Sequence, residues 1–324
     1  MSEYLLDVKN LSIYFFIQEG TVHAVNDLTF TLKPGETIGL VGETGAGKTT
    51  TALGIMSLVQ SPPGMVVDGQ IVFEGRDLLK LSEAEMRKVR GSKISMIFQD
   101  PMTSLNPVIP VGDQIAEVLL LHENLSAADA RIKATEMLTK VGIRPERAKE
   151  YPHQFSGGMR QRVGIAIALA CNPLLLIADE PTTALDVTIQ AQVLELMKAL
   201  KVEFNTSLIM ITHDLGIVAE ICDKVAIMYA GSAVETADKY ELFRNPKHPY
   251  TIGLLNSIPD IEKDEESLKP IKGLMPDPMN LPGGCPFHPR CDHATSRCAE
   301  VVPPRVEVAK GHFVKCLLFE EGGA

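Results

Sequence analysis

Residues 4 to 41 alternate apolar and polar side chains in short runs, "LLDVKNLSIYFF", "AVNDLTFTL" and "TIGLVG", separated by "EG" and "KPGE". Successive side chains on a strand point to opposite faces, so this period of two predicts β-strands joined by turns. The pattern changes at Gly47, where "KTTTALGIMSLV" reads as a helix until "QSPPG" breaks it, and short strands return around "GQIVFEG". Residues 101 to 165 are expected to be largely helical. Both "VGDQIAEVLLL" and "SAADARIKATEMLTKVGI" repeat their apolar positions at roughly the helical period. Ser126, with Asp129 three residues on, is placed to cap the second of these helices.

Farther along, "LLLIADEP", "TIQAQVLELMKALKVE", "SLIMITHD", "LGIVAEIC" and "KVAIMYAG" alternate strand and helix. Such alternation implies an α/β architecture with a parallel sheet and helices on its faces. Composition shifts near Ile258: residues 259–324 hold 9 of the 21 prolines and four of the six cysteines. Two domains are therefore expected, 1–258 and a Pro- and Cys-rich module over 259–324 that lacks the apolar content to build a large core alone. No internal repeat is present.

With 324 residues, 45% of them apolar, the chain can fill a substantial core. A net charge of -10 argues against a partner gripped through phosphates, so neither nucleic acid nor an anionic membrane surface is expected. The start "MSEYLLDVKNL" has no cationic segment followed by a long apolar one, and runs such as "LLLIA" fall far short of the ~20 residues that span a bilayer. A soluble, cytosolic chain is expected, and in a reducing compartment its cysteines are better explained by metal binding or burial than by disulfides. Cys171 and Cys222 lie in apolar helical surroundings and read as buried small hydrophobes, and Met96, Met210 and Met228 as strand-core residues.

"GETGAGKT", Gly42 to Thr49, follows an apolar strand and opens a helix, the context a P-loop requires. Gly42, Glu43, Thr44, Gly45, Ala46 and Gly47 offer backbone N–H groups to phosphates, Lys48 reaches the β- and γ-phosphates, Thr49 stands where Mg²⁺ is held, and Thr50 completes the nucleotide-binding set. "LLLIADE" is an apolar strand ending in two acids: Asp179 suits a Mg²⁺ shell and Glu180 is placed to polarise an attacking water. "FSGGMRQR" supplies a second anion site, because Ser156 and the Gly157 and Gly158 amides open a helix.

Two phosphate sites in one chain resemble the ATP-binding cassette family, whose signature L-S-G-G-Q appears here with Phe155 for Leu and Met159 for Gln. The resemblance spans about residues 4 to 255. It implies an ABC-type P-loop ATPase with an antiparallel β subdomain and a helical subdomain over about 101–165. It implies that Gln99 in "IFQD" is the Q-loop glutamine and a Mg²⁺ ligand with Thr49 and Asp179. It further implies that Asp186 in "TALD" is the D-loop aspartate and His213 in "ITHD" the switch histidine. Glu180, His213 and Gln99 would then carry catalysis. Phe15, or its neighbours Tyr14 and Phe16, would stack on adenine. Two cassettes would pack head to tail so that Lys48 of one and Ser156 of the other clamp one MgATP.

"NPKHPYTIGLLNSIP" and "FQDPMTSLNP" are similar to segments of the subunits that energise peptide importers of the oligopeptide, dipeptide and nickel type. That resemblance implies a second ATPase subunit, expected to be a different chain, two membrane permease subunits and, indirectly, an extracytoplasmic peptide-binding protein. The chain would then sit at the cytoplasmic face of the membrane. Tails of similar ATPases also imply a [4Fe-4S] cluster on Cys285, Cys291, Cys298 and Cys316. Zinc, disulfides and free thiols stay open beside it, and the spacing of these cysteines is wider than a zinc ribbon's usual pairs. His288 and His293 are read as bystanders. The competing function is a soluble cassette ATPase with a redox-sensing tail and no transport role.

Overall fold

The computed structural model describes residues 3–100, 104–183, 185–257 and 271–320. The expected domain boundary at 258/259 and Pro101 to Thr103 of the Q-loop stretch lie outside the described residues.

The strands and helices run β1 (Leu6–Ile17), β2 (Gly20–Leu32), β3 (Thr37–Val41), α1 (Lys48–Ile55), β4 (Gly64–Phe73), β5 (Arg76–Asp77), α2 (Glu83–Val89), β6 (Ile94–Ile97). Next come α3 (Val111–His122), α4 (Ala127–Lys140), α5 (Gly157–Leu169), β7 (Leu175–Asp179), α6 (Val187–Phe204), β8 (Ser207–Thr212), α7 (Leu215–Ile221). The remainder is β9 (Lys224–Tyr229), β10 (Ser232–Asp238), α8 (Lys239–Arg244), α9 (Pro249–Asn256), α10 (Ser296–Glu300), β11 (Val306–Ala309) and β12 (His312–Val314). These group into two compact units: Met1–Leu32, Ile38–Leu79 and Thr212–Ala324 form the first, and Lys33–Thr37 with Lys80–Ile211 the second.

In the first unit β2, β1, β4 and β5 pair antiparallel, with Leu6 opposite both Leu32 and Phe73. Leu6 and Val8 of β1 are wholly buried, as the alternation predicts, and Leu11 and Ile13 are buried too because the pairing register shifts between Val8 and Leu11. A second set runs β11, β12, β10, β9, β3. Here β3 and β9 are parallel, with Ile38 opposite Lys224 and Val41 opposite Ile227, and the remaining pairs are antiparallel. The parallel pair puts the P-loop at the carboxyl end of β3, the end at which α/β sheets bind ligands. β12 is anchored on β10 by a fully buried contact, His312 Nε2 lying 2.7 Å from Glu235 Oε1. Glu235 also accepts from the Lys247 and His248 amides at 2.8 Å each, so all three partners of this buried carboxylate come from C-terminal residues.

In the second unit β6, β7 and β8 are parallel, with Ile94 opposite Leu175 and Leu175 opposite Ser207. Every residue of β7 and β8 is buried, the mark of strands covered on both faces. Met96, Met210 and, in the first unit, Met228 are buried strand residues as expected. The predicted cap of α4 is present: Ser126 Oγ accepts from the Asp129 amide at 3.2 Å.

Candidate functional site

The P-loop turns from β3 into α1 with two geometric demands for glycine. Gly47 has φ +92, and a Cβ there would lie 2.3 Å from Ala24 O, while one at Gly42 would lie 2.2 Å from Met228 O. α1 starts at Lys48 with no side-chain cap and no acid in its first turn. Its first N–H groups and positive dipole end are thus kept for an anion. Lys48 is only 7% exposed, and its Nζ donates to Gly42 O at 2.7 Å and Glu43 O at 3.0 Å, curling the ammonium into the loop. Thr44, Gly45 and Thr49 are exposed, Thr50 is half-buried and Ala46 is buried.

In the second unit Asp179 ends β7, buried, and Glu180 follows with φ +45. A left-handed glutamate costs on the order of 1 kcal/mol and persists only where neighbours enforce it. Here the Glu180 amide donates to Ile211 O at 2.9 Å, and Glu180 Oε2 accepts from Gln99 Nε2 at 3.1 Å and Thr183 Oγ1 at 3.0 Å. Gln99 and Glu180, read separately as Q-loop and water-activating residues, are therefore direct partners.

Ser156 is the N-cap of α5, its Oγ accepting from the Met159 amide at 3.4 Å, and Gly157 is exposed beside it. Phe155, in place of leucine, is buried under the Arg147 guanidinium, 4.2 Å above the ring centroid. Gly158 has a packing reason as well: a Cβ would meet Ile189 Cγ2 at 2.4 Å. Asp186 caps α6, Oδ1 accepting from the Ile189 amide at 3.0 Å. His213, in the first unit, is exposed between β8 and Asp214, the N-cap of α7.

The adenine-stacking candidates divide by face, since side chains alternate along β1. Tyr14 packs against the His23 ring at 4.3 Å between centroids, and Phe16 is 50% exposed. Phe15 lies over Gly64, where a Cβ would come within 2.8 Å of its ring. Cys222 is buried behind Gly39 as a small hydrophobe, as expected, whereas Cys171 is only half-buried. Burial raises the Cys171 thiol to about 11.

Cys285, Cys291, Cys298 and Cys316 line one cavity of about 20 Å³, with His248, His288 and His293. All four are free thiols. Burial is the main cause that pushes the Cys285, Cys291 and Cys316 thiols up, Cys316 to about 11. Among the described residues no group of three or more His, Cys, Asp or Glu side chains is disposed to hold a metal ion. The expected [4Fe-4S] cluster, and its zinc alternative, are therefore not supported: the four cysteines line one cavity, but they are not disposed as a ligand set.

Sequence reasoning passed over the support of the P-loop itself. Glu43 is held by Tyr250 and by Arg290, the arginine of "HPRC". An arginine lodged among cysteines and prolines was the available signal.

Residues 25–183 match the family model described as ABC transporter, and residues 234–298 match that of the oligopeptide/dipeptide transporter C-terminal region. The chain is 55% identical to the oligopeptide transport ATP-binding protein AppD of Bacillus subtilis (strain 168), over 99% of this chain and 98% of the relative. The chain belongs to the ATP-binding proteins of oligopeptide and dipeptide ABC transporters. A second relative, the oligopeptide transport ATP-binding protein OppD of Escherichia coli (strain K12), is 52% identical over 97% of this chain and 93% of its own length. The dipeptide transport ATP-binding protein DppD of Bacillus subtilis (strain 168) is 50% identical over 98% and 96%. Among solved structures, the dimeric post-hydrolysis state of the ATP-binding cassette MJ0796 bound to ADP and Pi superposes with a TM-score of 0.65. That match has 26% identity and covers 72% of this chain and 98% of the other. The cassette is thus an ABC-type ATPase, and the soluble redox-sensing alternative has no support in these relatives. No helix among the described residues is long and apolar enough to cross a membrane.

Proposed function

We propose that this cassette binds and hydrolyses MgATP to drive peptide uptake through two separate permease subunits, at the cytoplasmic face of the membrane and together with a second ATPase subunit that is a different chain. An extracytoplasmic peptide-binding protein delivers the cargo. The observation that carries the reading is one chain matching the ABC transporter model and, after it, the oligopeptide/dipeptide transporter C-terminal region.

Each residue has a chemical task in this reading. The loop from Gly42 to Gly47, Thr50 and the α1 N-terminus bind the phosphates, Lys48 neutralises them, and Thr49, Gln99 and Asp179 would hold the magnesium, which when bound would offset the charge developing on the transferred phosphoryl group. Glu180 orients a water and takes up its proton, held in position by Gln99 and Thr183. His213 senses the γ-phosphate, and Phe15 stacks on adenine. Ser156, Gly157 and Gly158 present their amides to the nucleotide of the opposing cassette, and Asp186 lies at that junction. Because each site draws on two cassettes, the isolated chain is expected to be a monomer and a poor ATPase.

Co-purification from membranes, followed by ATPase measurement in proteoliposomes with permeases and binding protein, tests this. Peptide-stimulated hydrolysis dependent on both permeases is the expected result. A high, concentration-independent activity of the purified monomer, with no permease association, would overturn it.

A further inference from the structure

The second residue of the P-loop is a glutamate, an odd neighbour for an anion site. A carboxylate beside bound phosphates repels them, and the repulsion grows as the loop is shielded from water. The structure supplies the compensation from far along the chain. Arg290 Nη1 donates to both Glu43 oxygens, at 3.1 and 3.2 Å, and its side chain is only 6% exposed.

Arg290 is itself fixed on every side that the surrounding residues reach. Its Nε donates to Lys272 O at 2.8 Å, Nη1 lies 3.4 Å from the Tyr229 hydroxyl, and the guanidinium stands 5.7 Å from the Tyr229 ring and 6.0 Å from that of Phe287. Beneath it the Tyr229, Tyr250 and Phe287 rings pack on one another with centroids 4.7 to 5.4 Å apart. The same cluster grips the loop's backbone, because the Glu43 amide donates to the Tyr250 hydroxyl at 3.1 Å. Burial pushes the Tyr229 and Tyr250 hydroxyls up, so both stay neutral. Arg290 is thus the cation that faces Glu43 from this cluster. A planar guanidinium can serve a carboxylate, a carbonyl and a ring together, which a lysine ammonium cannot.

We propose that Arg290 is a positioning residue of the nucleotide site: acting through Glu43, it neutralises the carboxylate and fixes the first turn of the P-loop, so that the cysteine-bearing C-terminal segment is a working part of ATP binding. The inference rests on the P-loop being the nucleotide site. It gives the "HPRC" stretch a task independent of any metal.

The test is MgATP titration of the full chain as wild type and as Arg290→Ala, Arg290→Lys, Glu43→Gln and Glu43→Gln/Arg290→Ala, with Lys48→Ala as control and melting curves for each. Loss of a charged hydrogen bond contributes enough for Arg290→Ala to weaken binding about 10-fold. Arg290→Lys should recover part of the loss. Removing the orphaned carboxylate should recover most of it, leaving the double variant within about 2-fold of Glu43→Gln. Higher salt should shrink the Arg290→Ala defect, since it screens a repulsion. A purely structural role predicts no such rescue, and a double variant as weak as Arg290→Ala would overturn the proposal. So would Arg290→Ala binding as wild type while Lys48→Ala loses binding. Lys48→Ala binding as wild type would instead overturn the nucleotide-site assignment, and the clasp with it.

Discussion

Gln99 Nε2 donates to Glu180 Oε2 at 3.1 Å, and Thr183 Oγ1 donates to the same oxygen at 3.0 Å. Two donors on one oxygen fix the plane of the carboxylate, and the enforced φ of +45 fixes its root. A carboxylate held this firmly suits a group that orients a water rather than one that swings between partners.

Glu180→Gln keeps the shape and can still accept from Gln99 and Thr183, but removes the carboxylate proposed as the general base. Turnover should fall at least ~10²-fold with MgATP affinity retained, since a general base contributes about 10² to 10⁴. Mixed with its partner cassette and MgATP, the variant should accumulate as an ATP-bound dimer on size exclusion. Hydrolysis near the wild-type rate would remove Glu180 from the mechanism.

Lys48→Ala acts on a different step. It deletes the one P-loop ammonium and should weaken nucleotide binding at least about 10-fold, because charged hydrogen bonds contribute roughly 1.5–3 kcal/mol. Equilibrium titration separates the two variants: Glu180→Gln should bind and fail to turn over, Lys48→Ala should fail to bind.

Gly158→Ala should destabilise the protein by about 1–3 kcal/mol, the usual cost of overpacking. Its new methyl would meet Ile189 Cγ2 at 2.4 Å, and a β-branched side chain on a helix has little rotamer freedom with which to retreat. Ile189→Ala in the same chain should restore much of the melting temperature. An unchanged midpoint for Gly158→Ala would show that α5 and α6 accommodate the methyl.

His248 is 1% exposed and caps α9, its Nδ1 accepting from the Tyr250 amide at 3.0 Å. Burial lowers its ring from 6.5 to about 3. The unfolded chain takes up this proton as pH falls through 6.5 and the native chain does not until about 3, so the contribution is whole above 6.5 and is lost downward across that window. His248→Asn keeps a capping acceptor and removes the titration. Denaturant unfolding at about pH 7.5 and pH 5 should show wild type losing about 1.4 kcal/mol more per pH unit below the upper limit than the variant does. Parallel pH slopes would discard the assignment.

What was legible in the sequence is what consecutive residues build by themselves. A phosphate nest needs neighbouring amides, so "GETGAGKT" and "FSGGMRQR" declare themselves at fixed spacing, as do the Ser126 cap and the strand-end acids Asp179 and Glu180. The same locality made the α/β order readable and, through the match to family strings, the cassette itself. Spacing carries no information about which distant side chains meet. The pairing of Gln99 with Glu180 across 81 residues, and of Arg290 with Glu43 across 247, was decided by packing. So was the outcome at the cysteines: four thiols spread from Cys285 to Cys316 came to line one cavity, where burial raises the Cys285, Cys291 and Cys316 thiols. Desolvation and long-range contact are properties of the folded interior, and they exist only once the strands of the tail have joined β10 and the Tyr229, Tyr250 and Phe287 rings have closed beneath the P-loop.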